Sequence, residues 1–255
     1  IGVSKKKELI MVVEVNKLAE AQQGWVVNVR RALHEWPESR WEEERTLEMI
    51  EGYVRSIIAD SEWMGAVIDI SRKRGGLVVD ITVNDSFDRV LFKADVDGLP
   101  IPEKTELSFA SKREGFSHAC GHDMHSAMLL GAFRTIMSGE VELKHNVRLV
   151  WQRAEENPRT ASGGDVLVNQ EGICEGIAHV FGLHTLSTEP IGVFGSCGGP
   201  ILGNSGRLKI AIKGRGGHSA EPHHALNPMP IQKAVKAVLD AVRANTLGPF
   251  DPNVL

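Results

Sequence analysis

The sequence of 255 residues lacks a long hydrophobic run, contains few aromatic residues and has no dense block of one charge. No apolar stretch reaches the roughly 18 residues that a membrane span requires, so we expect no membrane association. The formal net charge is −4, and the short lysine run at residues 5–7 is terminal. This charge distribution argues against nucleic acid or an anionic membrane as a main partner.

Cysteine is also scarce. Cys120, Cys174 and Cys197 are an odd number without the regular spacing of a disulfide framework. Free thiols are typical of a reducing compartment, so we expect a cytoplasmic protein. The 42% of hydrophobic residues is enough for a buried core, and the length allows one large domain or two ordinary ones.

The hydrophobic pattern predicts an α/β fold. Apolar residues with helical spacing cover residues 7–33, and a second helical pattern follows Pro37, where the segment 39–42 resembles a capping box. Runs rich in β-branched residues predict strands, and the last three of these runs lead into residue types that bind metals. The predicted strands are 66–70, 77–83, 90–94, 147–151 and 180–183.

A change in composition predicts a domain boundary near residue 198. Gly, Ser and Pro dominate residues 192–206, without a helical or alternating period. Beyond them, 208–213 alternates like an antiparallel strand with one exposed face, and 231–242 has the spacing of an amphipathic helix. We therefore expect a larger α/β domain over 1–198 and a smaller, incomplete α+β domain over 199–255.

The segment 118–125 contains His118, Cys120, His122, Asp123 and His125, just before an apolar helical run. Residues two apart on a helix point away from each other, so the cysteine and the next histidine can converge only in a bent loop at the intervening glycine. A thiolate and an imidazole held in this way form half of a metal site. A single such residue is more often a packed one, but this crowding favours metal ligation.

Two adjacent carboxylates follow the predicted strand 147–151. They are compatible with an ordinary solvated turn. Because adjacent side chains diverge, however, one of Glu155 and Glu156 can bind a metal while the other faces a metal-bound water as general base.

Asp95 and Asp97 follow the strand 90–94, and His184 follows 180–183. The two aspartates are either a loop-capping pair or acceptors that orient a ligating imidazole. His184 is compatible with a core residue or a metal ligand, and the other clusters favour the ligand. Ligands of open α/β sheets bind beyond the carboxyl ends of the strands, so we expect one site assembled from these segments.

Six motifs in this order resemble the aminoacylase, hippurate hydrolase and indole-acetyl-amino-acid hydrolase type of metallopeptidase. The resemblance implies a catalytic domain with a mixed sheet flanked by helices, and a smaller lid domain through which such proteins usually form homodimers. By this resemblance we expect the chain to end inside the lid, whereas the family returns to the catalytic domain and supplies a further metal-binding histidine. The motifs are 31–38, 93–100, 118–125, 152–156, 181–184 and 214–223.

The resemblance also implies the roles of individual residues. Two divalent metal ions, zinc or else manganese, cobalt or nickel, would be held by one set of side chains, with a separate general base. A histidine of the lid would reach a neighbouring subunit's site. These residues are the ligands Cys120, His122, Glu156 and His184, the base Glu155, and the lid histidine His218.

The implied reaction is hydrolysis of an amide bond in N-acyl amino acids or small peptides. Two alternatives stay open: Cys120 is the nucleophile of a metal-free thiol hydrolase, or the chain is a degenerate or truncated, non-catalytic metal-binding homologue. The chain departs from the family at Arg153, where proline is usual, and at Gly98, where alanine is usual. Substrate preference is therefore not predicted.

Overall fold

The computed structural model describes residues 2–156, 161–196, 198–199, 201 and 208–246, with side chains from 17 to 242 within these ranges. The chain divides into two compact units, Ile1–Thr188 and Glu189–Leu255. This division lies upstream of the boundary expected at residue 198, and the catalytic and lid roles of the two parts stay predictions. None of the described helices combines the length and hydrophobicity that crossing a bilayer would need.

The described part of the first unit contains four helices. The helix predicted over 7–33 is confirmed as α1, but the predicted capping box is wrong, because the residue before α2 is Glu43 and its side chain caps nothing. The carboxylate of Glu38 instead accepts the Thr46 N–H of this helix at 2.7 Å. The four helices are α1 (Gly2–His34), α2 (Glu44–Asp60), α3 (His122–Met137) and α4 (Gly163–Asn169).

All five predicted strands of this unit form one mixed sheet in the order β1-β2-β4-β3-β5. The pairs β1–β2 and β2–β4 are antiparallel, and β3 is parallel to both β4 and β5. The carboxyl ends of β3, β4 and β5 therefore meet at one edge of the sheet. The strands are β1 (Val67–Lys73), β2 (Gly76–Thr82), β3 (Arg89–Asp95), β4 (Asn146–Gln152) and β5 (Ile177–Gly182).

Helices cover both faces of this sheet. Side chains alternate along a strand, so Leu149 and Trp151 of β4 pack with α1, α2 and α3, while Val150 points to the other face. There it packs with Leu167 of α4 and with Ile173. Because β4 is buried on both faces, its sequence is a nearly continuous apolar run. The mixed sheet with flanking helices confirms the predicted α/β fold.

The second unit contains the helix α5 (Met229–Thr246), which confirms the amphipathic pattern over 231–242. The strand predicted over 208–213 is wrong, because this segment has no regular secondary structure. A strand requires a partner for its backbone hydrogen bonds. In the described part of this unit the pairing consists of a single bridge between Arg215 and Leu226.

Candidate metal centre

The site begins at a bend in front of α3. Gly121 has φ = 81°, in the left-handed region, and occupies the N-cap position of the helix. A Cβ atom there would lie 2.4 Å from Oγ1 of Thr185, so a larger residue would be both strained and crowded. This bend leaves Cys120 in the loop and His122 as the first helical residue, as the sequence predicted.

The bend brings Cys120 close to the segment that follows β5. Its Sγ atom lies 3.4 Å from Nε2 of His184. One potential ligand atom from each of Cys120, His122 and His184 lies within 4.8 Å of the others. The same criterion groups His122 with Glu155 and Glu156. The structure therefore brings together the five predicted site residues of the first unit, with His122 shared by both groups.

His122 has a defined orientation. Its Nδ1 donates to the backbone oxygen of Asp97 at 2.9 Å and lies 3.1 Å from the Oδ1 atom of this residue. Since these oxygens only accept, Nδ1 carries a proton, and in the neutral ring Nε2 then has the lone pair that a metal ion needs. The Nε2 atom is buried without a hydrogen-bond partner among the described residues, and Oε2 of Glu155 lies 3.9 Å from it.

Asp97 also holds the carboxylate pair. Its Oδ2 atom accepts the Glu156 N–H at 2.9 Å, while its Oδ1 atom faces His122. This is the contact expected of an aspartate that orients an imidazole ligand, and the ligand role of His122 stays a prediction. Asp95 behaves differently: its Oδ1 atom forms an ion pair with Nζ of Lys93 at 2.8 Å, although Asp95 also groups with His122 and His125.

The chemistry of these side chains fits a divalent cation. Burial, followed by the neighbouring Glu156, Glu155 and Asp95, raises the pKa of the Cys120 thiol to about 12. Burial, followed by Asp95 and Glu156, raises the pKa of Glu155. These groups oppose one another's ionisation, and a bound cation reverses that effect. A mixed sulfur, nitrogen and oxygen donor set suits borderline ions such as Zn²⁺.

Asp123 serves α1 rather than the candidate metal site. Its Oδ2 atom lies 2.7 Å from Nδ1 of His34 and 2.7 Å from Nε of Arg30. Nε2 of His34 in turn lies 3.0 Å from Oε1 of Glu103. The hydrogen bond with Asp123 raises the pKa of His34, although burial opposes this. This buried network ties α1 to the start of α3.

His118 and His125, at the two ends of the segment 118–125, are not among the proposed metal ligands. Burial lowers the pKa of His118 to about 4, and neither of its ring nitrogens has a partner among the described residues. Nε2 of His125 accepts the Thr185 N–H at 3.1 Å, so this ring supports the residue that follows His184. Burial lowers the pKa of His125 as well, to about 4, which keeps the ring neutral and able to accept.

His218 belongs to the second unit. Its Nδ1 atom accepts the Ala220 N–H at 3.2 Å. The role that the sequence resemblance implies for it stays a prediction.

Sequence reasoning missed one buried acid near the site. Glu43 has 0% exposure, and its Oε1 atom accepts the Ala154 N–H at 2.7 Å across 111 residues of sequence. Arg153 donates from Nε to the other oxygen, Oε2, at 3.0 Å. No motif spacing signals a contact between residues so far apart. The arginine at position 153, where the family usually has proline, is one sequence sign that this turn departs from the family pattern.

A mixed α/β sheet that gathers a thiol, imidazoles and carboxylates at the carboxyl ends of its strands is the kind of site that metal-dependent hydrolases use. The chain belongs to the peptidase family M20/M25/M40, whose family model matches residues 91–252. This membership confirms the resemblance to metallopeptidases of the aminoacylase type.

Similar proteins include enzymes and a metal-binding structure. The chain is 32% identical to Thermostable carboxypeptidase 1 from Saccharolobus solfataricus, with 91% of the chain and 57% of the relative covered. It is 34% identical to IAA-amino acid hydrolase ILR1-like 4 from Arabidopsis thaliana, with 91% and 50% covered. The Bacillus subtilis YXEP protein, described as a dinuclear metal binding peptidase from the M20 family, is 33% identical with a TM-score of 0.58, with 68% and 46% covered. The chain thus spans about half the length of these relatives.

Proposed function

We propose that the protein containing this chain hydrolyses amide bonds in N-acyl amino acids or small peptides with the help of two divalent metal ions. The observation that carries the proposal is the grouping of Cys120, His184, Glu155 and Glu156 around His122, whose Nε2 atom has no hydrogen-bond partner among the residues that the structure describes. Family membership supports the reaction type, and the names of the carboxypeptidase and the IAA-amino acid hydrolase support the substrate class.

The residues have distinct roles in this proposal. When bound, the metal ions, zinc or else manganese, cobalt or nickel, would supply the positive charge that polarises the amide carbonyl and lowers the pKa of water. Glu155 takes a proton from the attacking water on its carboxylate and returns it to the leaving amine. Its side chain is exposed, where a substrate and water can reach it, and its Oε2 atom lies 3.9 Å from His122 Nε2, which supports this role. The proposed ligands are Cys120, His122, Glu156 and His184.

The raised pKa of Cys120 argues against the thiol hydrolase. A nucleophilic cysteine needs a lowered pKa, usually from neighbouring positive charge. The pKa of Cys120 is instead raised to about 12 by burial and by neighbouring carboxylates. Joint ligation of a metal ion explains the contact between Cys120 and His184, and it also gives Glu155 and Glu156 a role.

The assembly and the location are parts of the same proposal. We propose a cytoplasmic homodimer formed through the second unit, with His218 acting at the site of a neighbouring subunit. Sedimentation of the full-length protein tests the dimer, and a monomer at micromolar concentration would contradict it.

Removal of metal tests the proposed reaction. We expect a chelator to lower hydrolysis of N-acetyl amino acids by the full-length protein at least about 100-fold, because metal activation of water contributes several kcal/mol. Readdition of Zn²⁺ or Mn²⁺ should restore turnover, which controls for damage by the chelator. Chelator-insensitive turnover would refute the proposal. Bound metal without any turnover would instead identify a non-catalytic homologue.

A further inference from the structure

The turn after β4 has an uncommon backbone conformation. Ala154 has φ = 48° and is 3% exposed, immediately before Glu155 and Glu156. Residues other than glycine rarely adopt positive φ, and they keep it only where surrounding groups hold them there. The contacts that hold Ala154 therefore determine where the following two carboxylates point.

Glu43 supplies the contact to the backbone of this turn. One carboxylate oxygen accepts the Ala154 N–H at 2.7 Å, and the other accepts from Nε of Arg153 at 3.0 Å. The guanidinium is itself fixed, because it donates to the backbone oxygen of Trp41 at 2.9 Å and pairs with Glu44 at 2.8 Å. The carboxylate of Glu43 is thus held rigidly against the turn.

The turn is held from its other sides as well. Asp97 accepts the Glu156 N–H at 2.9 Å, and the Gly163 N–H donates to the backbone oxygen of Ala154 at 3.3 Å. A Cβ atom on Gly163 would lie 1.9 Å from the backbone oxygen of Arg153, so α4 begins in close contact with the turn. Of these contacts, the one from Glu43 acts on the Ala154 N–H itself.

Burial of a carboxylate with an arginine is costly, and apolar residues of similar volume often stabilise a protein as well or better. Stability alone therefore explains the pair poorly. We propose that Glu43 is a positioning residue for the proposed hydrolysis: through the Ala154 N–H it fixes the left-handed bend that turns Glu155 toward His122. This inference depends on the proposed function for the role of Glu155, whereas the contact itself does not.

Three substitutions at Glu43 test the inference in the full-length protein. Glu43→Ala removes the acceptor, and Glu43→Asp keeps the charge but withdraws the acceptor by one methylene. We expect both to lower kcat, by about 100-fold for Glu43→Ala and at least about 10-fold for Glu43→Asp, because small misplacements of catalytic groups are costly. Glu43→Gln keeps an oxygen within reach of the Ala154 N–H, so it should recover most of kcat.

Metal affinity and a matched control separate positioning from stability. We expect Glu43→Ala to weaken Mn²⁺ binding about 10-fold, measured by chelator competition, because Glu156 belongs to the same turn. KM should change by less than about 3-fold, since the contact acts on the reacting groups. Glu38→Ala is the control. The carboxylate of Glu38 accepts the Thr46 N–H in the first turn of α2, so its loss should lower Tm without changing kcat or Mn²⁺ affinity.

Wild-type kcat and Mn²⁺ affinity in folded Glu43→Ala or Glu43→Asp would overturn the inference, as would equal losses of both in Glu38→Ala. If Glu43→Ala does not fold, Glu43→Asp decides the question. If the wild type and the Glu43 variants turn over at the same rate, the positioning role is refuted and the proposed function stands. If the wild type has no turnover but the Glu43 variants bind Mn²⁺ more weakly than it does, the proposed hydrolysis is refuted and the positioning role is supported.

Discussion

Replacement of Glu155 by glutamine is expected to lower kcat about 100-fold to 10,000-fold in the full-length protein, the range that general bases contribute. Glutamine has nearly the same shape as glutamate but cannot accept a proton from water. Because Glu155 is proposed as a base rather than a ligand, the bound metal should stay. Steady-state kinetics with an N-acetyl amino acid, together with elemental analysis of the same sample, measure both effects.

A control for this substitution is Glu140→Gln, at an exposed acid in the loop after α3. It removes the same charge and should leave kcat unchanged. Wild-type kcat in Glu155→Gln would show that another group accepts the proton. Loss of metal together with loss of activity would show that Glu155 is a ligand, which would reverse the roles proposed for Glu155 and Glu156.

Replacement of His122 by alanine is expected to weaken metal binding by more than about 100-fold, because even residues that only support a ligand cost 10-fold to 100-fold in affinity. His122 is common to all three groups of potential ligands among the described residues. Its Nε2 atom is buried and has no hydrogen-bond partner there. Titration with Zn²⁺ or Mn²⁺ against a competing chelator measures the affinity without relying on turnover.

His145→Ala is the matched control, since this imidazole is exposed in the loop before β4. It should bind metal as the wild type does. Circular dichroism of His122→Ala distinguishes loss of a ligand from loss of the fold. Wild-type metal affinity in a folded His122→Ala variant would remove His122 from the ligand set and with it the centre of the proposed site.

Most of the site was predictable from sequence because its residues share two simple signals. Cys120 and His122 stand out by their crowding around a glycine, and Glu155, Glu156 and His184 each follow an apolar run. Parallel strands place their carboxyl ends together, so residues that are distant in sequence meet once the strands pair. The observed β3, β4 and β5 do so.

The contacts that orient these residues were harder to predict. Asp123 lies within the segment 118–125 that is proposed to bind metal, yet it pairs with His34 across 89 residues of sequence. Glu43 contacts Ala154 across 111 residues, and in the sequence it is the middle one of three consecutive glutamates. Pairings of this kind depend on how α1 and α2 pack on the sheet, and hydrophobic periodicity does not determine which polar side chains face each other.

Local patterns also failed where tertiary context decides the outcome. The segment 39–42 has the residue types of a capping box, but Glu38 provides the carboxylate at the start of α2. The segment 208–213 alternates like a strand, but it has no partner in the described part of its unit. A pattern of residues predicts what a segment can form, and a pairing partner determines whether it does.

The most direct test of the proposed metal centre is anomalous X-ray diffraction from crystals of the full-length protein loaded with Zn²⁺ or Mn²⁺. We predict two anomalous peaks in the site, one of them at the roughly 2.0–2.3 Å from Nε2 of His122 that metals keep from their ligand atoms. Cys120, Glu156 and His184 should supply the neighbouring ligand atoms. Metal ions bound elsewhere, or none within ligand distance of Cys120 and His122, would contradict the account.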